Sequence, residues 1–253
     1  MISEVRPRHV VCVLGKGLDL DVVEDVVRET GSGFTMDREY SANEPDPRMP
    51  RAFEACMAAA TFTEQDWRAV EEHDTVAYVL SPPMTAGTSA AVSRMTLQVT
   101  AALLEAGATA AKNESNGLAH GRAQWLDLAR RSAAEPGDEE QAVVLAHAWV
   151  KRPILDGGHL YSCGMHLLGH PDVELEIDDP DAVGPDQVEL MDALAIYLMT
   201  ERRAQEMRDG EGFRLAPDAP RWILRRRECR RYDEDDFFFN PYGYWRLTPD
   251  EAS

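Results

Sequence analysis

The chain has 253 residues, 44% of them hydrophobic and 28% charged, a composition that excludes wholesale disorder and suffices for a sizeable core. Its formal charge is −19, a field that repels nucleic acid and anionic membrane and attracts basic partners. No apolar run nears the roughly 20 residues that cross a bilayer, and MISEVRPRHV lacks the apolar stretch of a signal peptide, so a cytoplasmic protein is expected.

The apolar run His9–Leu14 predicts a buried strand, with Cys12 as a small buried hydrophobe. Helical spacing of Leu18, Val22, Val23, Val26 and Val27 predicts a helix over 18–29, closed by Gly31 and Gly33. A strand over Phe34–Ser41 leads into a proline-rich loop to Pro50. Helices are predicted over Arg51–Ala60 and Thr63–Glu72, the second with Thr63 as N-cap and Asp66 in its first turn. Thr75–Leu80 reads as a strand stopped by Ser81-Pro82-Pro83. Thr88–Ala106 is the clearest helix, with Val92, Met95, Val99, Ala102 and Leu103 on one stripe, and Gly107 closes it. Ala108–Lys112 predicts a strand, and Leu118–Arg131 a helix carrying Trp125 and Leu128.

The polar stretch Ser132–Glu140 is the best boundary, dividing a lobe over 1–135 from a lobe over 141–253. Beyond it, Val143–Pro153 and His159–Leu168 read as strands joined by the hairpin signal Asp156-Gly157-Gly158. Val173–Ile177 is a further strand and Val188–Arg203 a long helix. Phe213–Ala216, Trp222–Cys229 and Tyr244–Leu247 are late strands. The expected class is α+β, with two ferredoxin-like-type lobes: a split βαβ first half and a hairpin-rich second half. Element order also allows a single shared mixed sheet. The cysteines Cys12, Cys56, Cys163 and Cys229 are widely spaced and form no CxxC, as in a reduced compartment.

Four segments could carry chemistry. In Lys112–His120 a strand ends, a polar loop follows and a helix is expected to begin. Glu114, Ser115 and His120 there offer an acid, a nucleophile and a base if they converge. Alternatively, Ser115 or Asn116 only caps a helix. The segment His159–His170 holds His159, Cys163, His166 and His170. Strand alternation turns His166 away from His159 and Cys163, and the spacing matches no zinc pattern, so no metal or cofactor is assigned.

The third segment, Asp172 to Asp178, alternates strictly. Val173, Leu175 and Ile177 face a core, and Asp172, Glu174, Glu176 and Asp178 line the other face. Carboxylates roughly 6.5–7 Å apart along a strand repel one another unless something positive lies alongside. Arginines of Arg225–Arg227, a divalent cation or a basic partner each fit that need. The row sits within Pro153–Glu201, which has no Lys or Arg against 11 acids. The last segment, Phe237–Trp245, has six aromatics in nine residues and reads either as a seal on the core or as an aromatic pocket wall that has Asn240 as its polar contact.

Three strings, KNESNGLAHGRAQWLDLA, HAWVKRPI with YSCGMHLLGHPDVELE, and FFFNPYGYWRL, resemble an uncharacterised bacterial family. Its members carry a Glu-Ser loop running into a His and Trp helix, a Tyr-Ser-Cys-Gly-Met strand and a closing Asn-Pro segment. The similarity covers roughly residues 70–250, and Asn116 departs from the smaller residue usual in that loop. The resemblance implies a shared architecture and points to Glu114, His120, Trp125, Cys163, His166 and Glu174.

These features lead to a non-catalytic protein that engages a basic partner, in the manner of an immunity protein neutralising a toxin. Asp172, Glu174, Glu176, Asp178, Asp179 and Asp181 are its expected contact residues. The alternative is a small-molecule hydrolase or transferase using Glu114, Ser115, His120, Cys163 and His166, with its site between the Glu114–His120 loop and the Cys163–His166 strand.

Overall fold

The computed structural model describes residues 5–58, 60–134, 137–177 and 183–250. Its elements run β1 (Val10–Gly15), α1 (Leu20–Thr30), β2 (Thr35–Ala42), α2 (Met49–Cys56), α3 (Glu64–Glu71), β3 (Thr75–Leu80), α4 (Ala86–Glu105), β4 (Ala108–Asn113), β5 (Leu118–His120) and α5 (Arg122–Ala133) in the first lobe. The second lobe has α6 (Asp138–Trp149), β6 (Lys151–Asp156), β7 (His159–Cys163), β8 (Asp172–Glu176), α7 (Pro185–Thr200), β9 (Gly212–Phe213), β10 (Trp222–Arg227) and β11 (Tyr244–Pro249). The protein is therefore α+β and two-lobed.

The first sheet has the order β2-β3-β1-β4-β5. All its strand pairs are antiparallel, so β1 to β4 form the split βαβ plait, with β5 added at one edge. The second sheet is separate and mixed, in the order β6-β7-β8-β11-β10-β9. Hairpins build it on both sides of one parallel pair, β8 with β11.

Local chemistry explains the element ends. Asp19 caps α1 through the Asp21 amide. Thr63 and Asp66 form a reciprocal capping box at α3, as the sequence suggests. Helix α2 begins before its predicted start, because Pro50 falls in its first turn, where a missing amide hydrogen costs nothing.

Two predicted elements change type. Leu118–His120 is not the start of a helix. A turn at Gly117 (φ 58°) folds it back on β4, pairing Ala111 with His120 and Lys112 with Ala119. Residues 143–149, expected as strand, belong to α6. Asp138, Glu139 and Glu140 fill the first turn of α6, where acids suit the helix dipole. Its apolar residues are buried on nearly every side, which erases the helical period. The expected strand His159–Leu168 also stops early. Gly164 has φ 126°, and a Cβ there would lie 2.0 Å from the Trp149 carbonyl oxygen. Only glycine fits, and the chain turns into one 3-10 turn over Met165–Leu168.

One continuous core joins the lobes. It contains Val11, Val13, Ala77 and Val79 of the first sheet, Leu160, Val173, Leu175 and Leu247 of the second, and buried residues from α1, α4, α5, α6 and α7. On the other face of the first sheet, α2 and α3 cover Cys12, Leu14, Val76 and Ala110.

Candidate functional site

Of the proposed catalytic quintet, His166 and Ser115 come together, through the Ser115 backbone, and the set as a whole does not form a relay. Glu114 bonds to the buried ammonium of Lys112, and Lys112 shares a strand face with Ala119 and Cys12 beneath α2. His120 pairs with Ala111 on the opposite face. The Ser115 hydroxyl donates to the Arg8 carbonyl (2.7 Å) and accepts from the Val10 amide (3.1 Å), so it ties down the entry to β1. Cys163 packs with Tyr161 and Tyr244. Burial and then Asp172 push its thiol well above the usual range, which removes the thiolate a nucleophile needs. His166 is 1% exposed, with its ring against the backbone of Ser115 and Phe237. Burial depresses it to about 4.

A different serine–histidine–asparagine chain, which the sequence spacing does not betray, lies where the lobes meet. Asn113 Nδ2 donates to His9 Nδ1 (3.0 Å), His9 Nε2 to Ser93 Oγ (2.7 Å), and Ser93 Oγ to the Leu167 carbonyl (2.6 Å). Every proton in this relay points one way, and all three side chains are 0% exposed. Burial and the neighbouring His166 lower His9 to about 3. Such a chain holds the lobes in register and cannot take a proton from its serine near neutrality.

The acidic row keeps its predicted alternation but not its predicted exposure. Val173 and Leu175 face the shared core. Asp172 and Glu174, on the other face, are 1% and 3% exposed, because the chain near residues 229–240 lies across them. Glu174 accepts from Arg231 Nη2 (2.7 Å) and from Arg246 Nε (2.6 Å). Arg246 stands directly beside Glu174 on β11. Arg231 also reaches Asp156 and stacks over Tyr161 at 3.9 Å.

Arg225, Arg226 and Arg227 are engaged elsewhere, with Asp209, the Tyr242 carbonyl and the Arg226 carbonyl. Asp172 and Glu174 are therefore internal and unavailable to a partner. Glu176 is exposed, and Asp178, Asp179 and Asp181 lie outside the described residues. Asn240, expected as the polar contact of a pocket wall, instead lies inside this seal, donating to Asp172 Oδ2 (2.6 Å) and the His170 carbonyl (3.1 Å).

Asp172 is a buried carboxyl with three donors and no cation: Asn240 Nδ2, Ser162 Oγ (2.9 Å) and the Met165 amide (3.2 Å). Burial raises it to about 7, against the opposing pull of those donors. Its folded state thus holds a proton that the unfolded chain releases near pH 4. The sign follows from linkage. Stability linked to Asp172 is fully present in acid and is lost as pH rises from about 4 to about 7. In Asp172→Asn, the fall in melting temperature across that window is expected to flatten relative to wild type. An unchanged pH slope means that Asp172 is ionised throughout.

One opening lies where β5, an edge of the first sheet, approaches β6, an edge of the second. It is a cleft of about 530 Å³ walled by both lobes, including His120, Gln124, His147, Lys151 and Arg152. Arg152 is committed to Asp192 and to the carbonyls of Ala146 and Val150. The other prominent feature is at the surface. Asp233, Glu234, Asp235 and Asp236 are all exposed, and Phe237 beside them is 56% exposed.

Among the described residues, no three His, Cys, Asp or Glu side chains gather into a metal-binding group, and no helix is long and apolar enough to cross a membrane. No family model, curated protein or solved structure matches the chain.

Proposed function

We propose that this is a non-catalytic binding protein that engages a basic partner through an acidic surface, the role of an immunity protein that neutralises a toxin or effector. The observation that carries the reading is the run Asp233–Asp236 followed by the exposed ring of Phe237. Interface energy concentrates in aromatic anchors, while surrounding charge sets association rate and partner choice. Four exposed carboxylates followed by one uncovered phenylalanine combine both elements, and the −19 charge adds long-range steering. The contact surface in this reading is the exposed Asp233–Phe237 segment, in place of the sealed Asp172 and Glu174.

The hydrolase or transferase alternative loses support because the Ser115 hydroxyl is spent on the Arg8 carbonyl and the Val10 amide, while Glu114 is held by Lys112 on one sheet face and His120 lies on the other. Burial also leaves the histidines among them without basicity and Cys163 without a thiolate.

The test is to express the basic products of the flanking genes and titrate each against this protein. A complex that weakens with salt is expected. Its association should slow by about tenfold or more in E234K/D235K and its dissociation should quicken in Phe237→Ala. Absence of any complex at low salt, or a complex indifferent to both variants, discards the reading.

A further inference from the structure

The second sheet carries arginines and acids on one face without pairing them to each other. Arg225 stands beside Arg246 in the ladder, and Arg246 beside Glu174. Arg225 and, two positions on, Arg227 therefore look out from the same face as Glu174. The chain around them is rich in positive charge. From Arg202 to Arg231 there are ten arginines and five acids, in a protein of net charge −19. Arg225 has a long contact with Asp209 (3.4 Å), whose other oxygen already accepts the Arg226 amide (2.7 Å). Arg227 donates to the Arg226 carbonyl (2.9 Å) and forms no ion pair among the described residues.

The acidic run lies over that same face. Arg231 reaches Glu174, the Tyr232 hydroxyl meets that of Tyr161 (3.1 Å), and Asn240 reaches Asp172. Between these anchors come Asp233, Glu234, Asp235 and Asp236, all exposed. None of the four forms an ion pair among the described residues, and Asp236 accepts from the Phe238 amide (2.8 Å). Anchored at both ends, the run does not reach the arginines of its own chain.

A two-fold interface uses one patch twice, so that patch must complement itself. Unpaired positive and negative groups on one face meet that condition, and the exposed Phe237 ring adds apolar area at the same place. The overall charge opposes approach at long range. At physiological salt, however, charges more than roughly 8 Å apart are largely screened, and the facing groups decide the contact.

We propose that two copies of this chain meet through this face, the Asp233–Phe237 segment of each lying on Arg225 and Arg227 of the other. The dimer goes beyond the docking reading and regulates it, because a basic partner must displace the second copy to reach the segment.

Sedimentation equilibrium at about 0.15 M salt decides it. A monomer–dimer equilibrium should be resolved between about 1 and 500 μM protein, and about 0.5 M salt should weaken it at least about tenfold. The variants R225E/R227E and E234K/D235K should each weaken it by a similar factor. An equimolar mixture of the two should dimerise again, because the reversed patches then face each other as the native ones do. An unfolded variant could not be rescued in this way. A wild-type protein that stays monomeric up to about 500 μM overturns the proposal. So does a dimer that neither variant weakens, or a mixture that stays monomeric. The docking reading fails separately: it requires E234K/D235K to slow a basic partner, whereas R225E/R227E, which frees the segment, should not.

Discussion

Replacing Arg231 and Arg246 together by alanine is expected to destabilise the protein by about 3–5 kcal/mol, the usual cost of stranding a buried charge. The Glu174 side chain is 5% exposed, and the two guanidiniums are its ionic partners, themselves 20% and 26% exposed. Either arginine alone still neutralises the carboxylate, so each single variant should lose much less than half of the double. Arg231→Ala should cost more than Arg246→Ala, because it also gives up the stack on Tyr161 and the link to Asp156. The diagnostic step is Glu174→Gln in the double background. Removing the stranded charge should restore part of the loss, which a purely steric role for the arginines would not allow. Chemical denaturation of the four proteins measures this. A double variant within about 1 kcal/mol of wild type would place Glu174 among solvated surface pairs and reopen the acidic row as a docking surface.

That row shows where sequence reasoning succeeds and where it stops. Period-two alternation correctly separates Val173 and Leu175 from Asp172 and Glu174, because it is set by the strand itself. What covers the second face is decided by residues more than fifty positions away, Arg231, Asn240 and Arg246, and no local pattern reports that. The arginine-rich string Arg225–Arg227 is the conspicuous donor in the sequence, but β11 stands between β10 and β8 and supplies Arg246 instead.

The plait of the first lobe is legible where its helices have one apolar and one polar face, as α1 does, whereas α4 departs from its expected stripe, burying Ser89, Ser93, Thr96 and Thr100 and leaving Met95 37% exposed. Helix α6 is illegible for the converse reason: beyond its acidic first turn it is buried among α4, α5 and α7, so residues 142–149 are nearly all apolar and mimic a strand. The three-residue strand β5 is too short to show any period and exists only because the Gly117 turn returns it to β4. Of the candidate site, the sequence offers His120 as a base and Asn240 as a pocket contact, and the structure places the first against the His147 carbonyl and the second on buried Asp172. The His9–Ser93–Asn113 chain escapes it because its members are 20 to 104 residues apart.

Trp149 is where the two lobes are joined most tightly, and Trp149→Ala is expected to cost about 3–5 kcal/mol. The residue is 0% exposed at the end of α6. Its indole hydrogen bonds to the Ser93 carbonyl of α4 (3.1 Å), and its own carbonyl accepts from Asn116 Nδ2 (2.6 Å). Its ring meets His9 edge-on at 4.5 Å and Trp125 at 5.2 Å, and Trp125 in turn meets His120 at 4.7 Å.

A second-lobe residue therefore anchors the first strand, the longest helix and the polar loop of the first lobe at once. Truncation removes the ring and the indole bond but leaves the carbonyl contact. Loss should accordingly appear as weakened coupling between lobes: two resolved unfolding transitions in place of one, and faster amide exchange at His9, Val10 and Leu167 than elsewhere in the core. Trp149→Phe keeps most of the ring contact and gives up the indole bond, so it should remain a single transition with a smaller loss. If Trp149→Ala unfolds in one transition near the wild-type midpoint, the aromatic chain from His9 to His120 is incidental packing and the lobes are held by the remaining core alone.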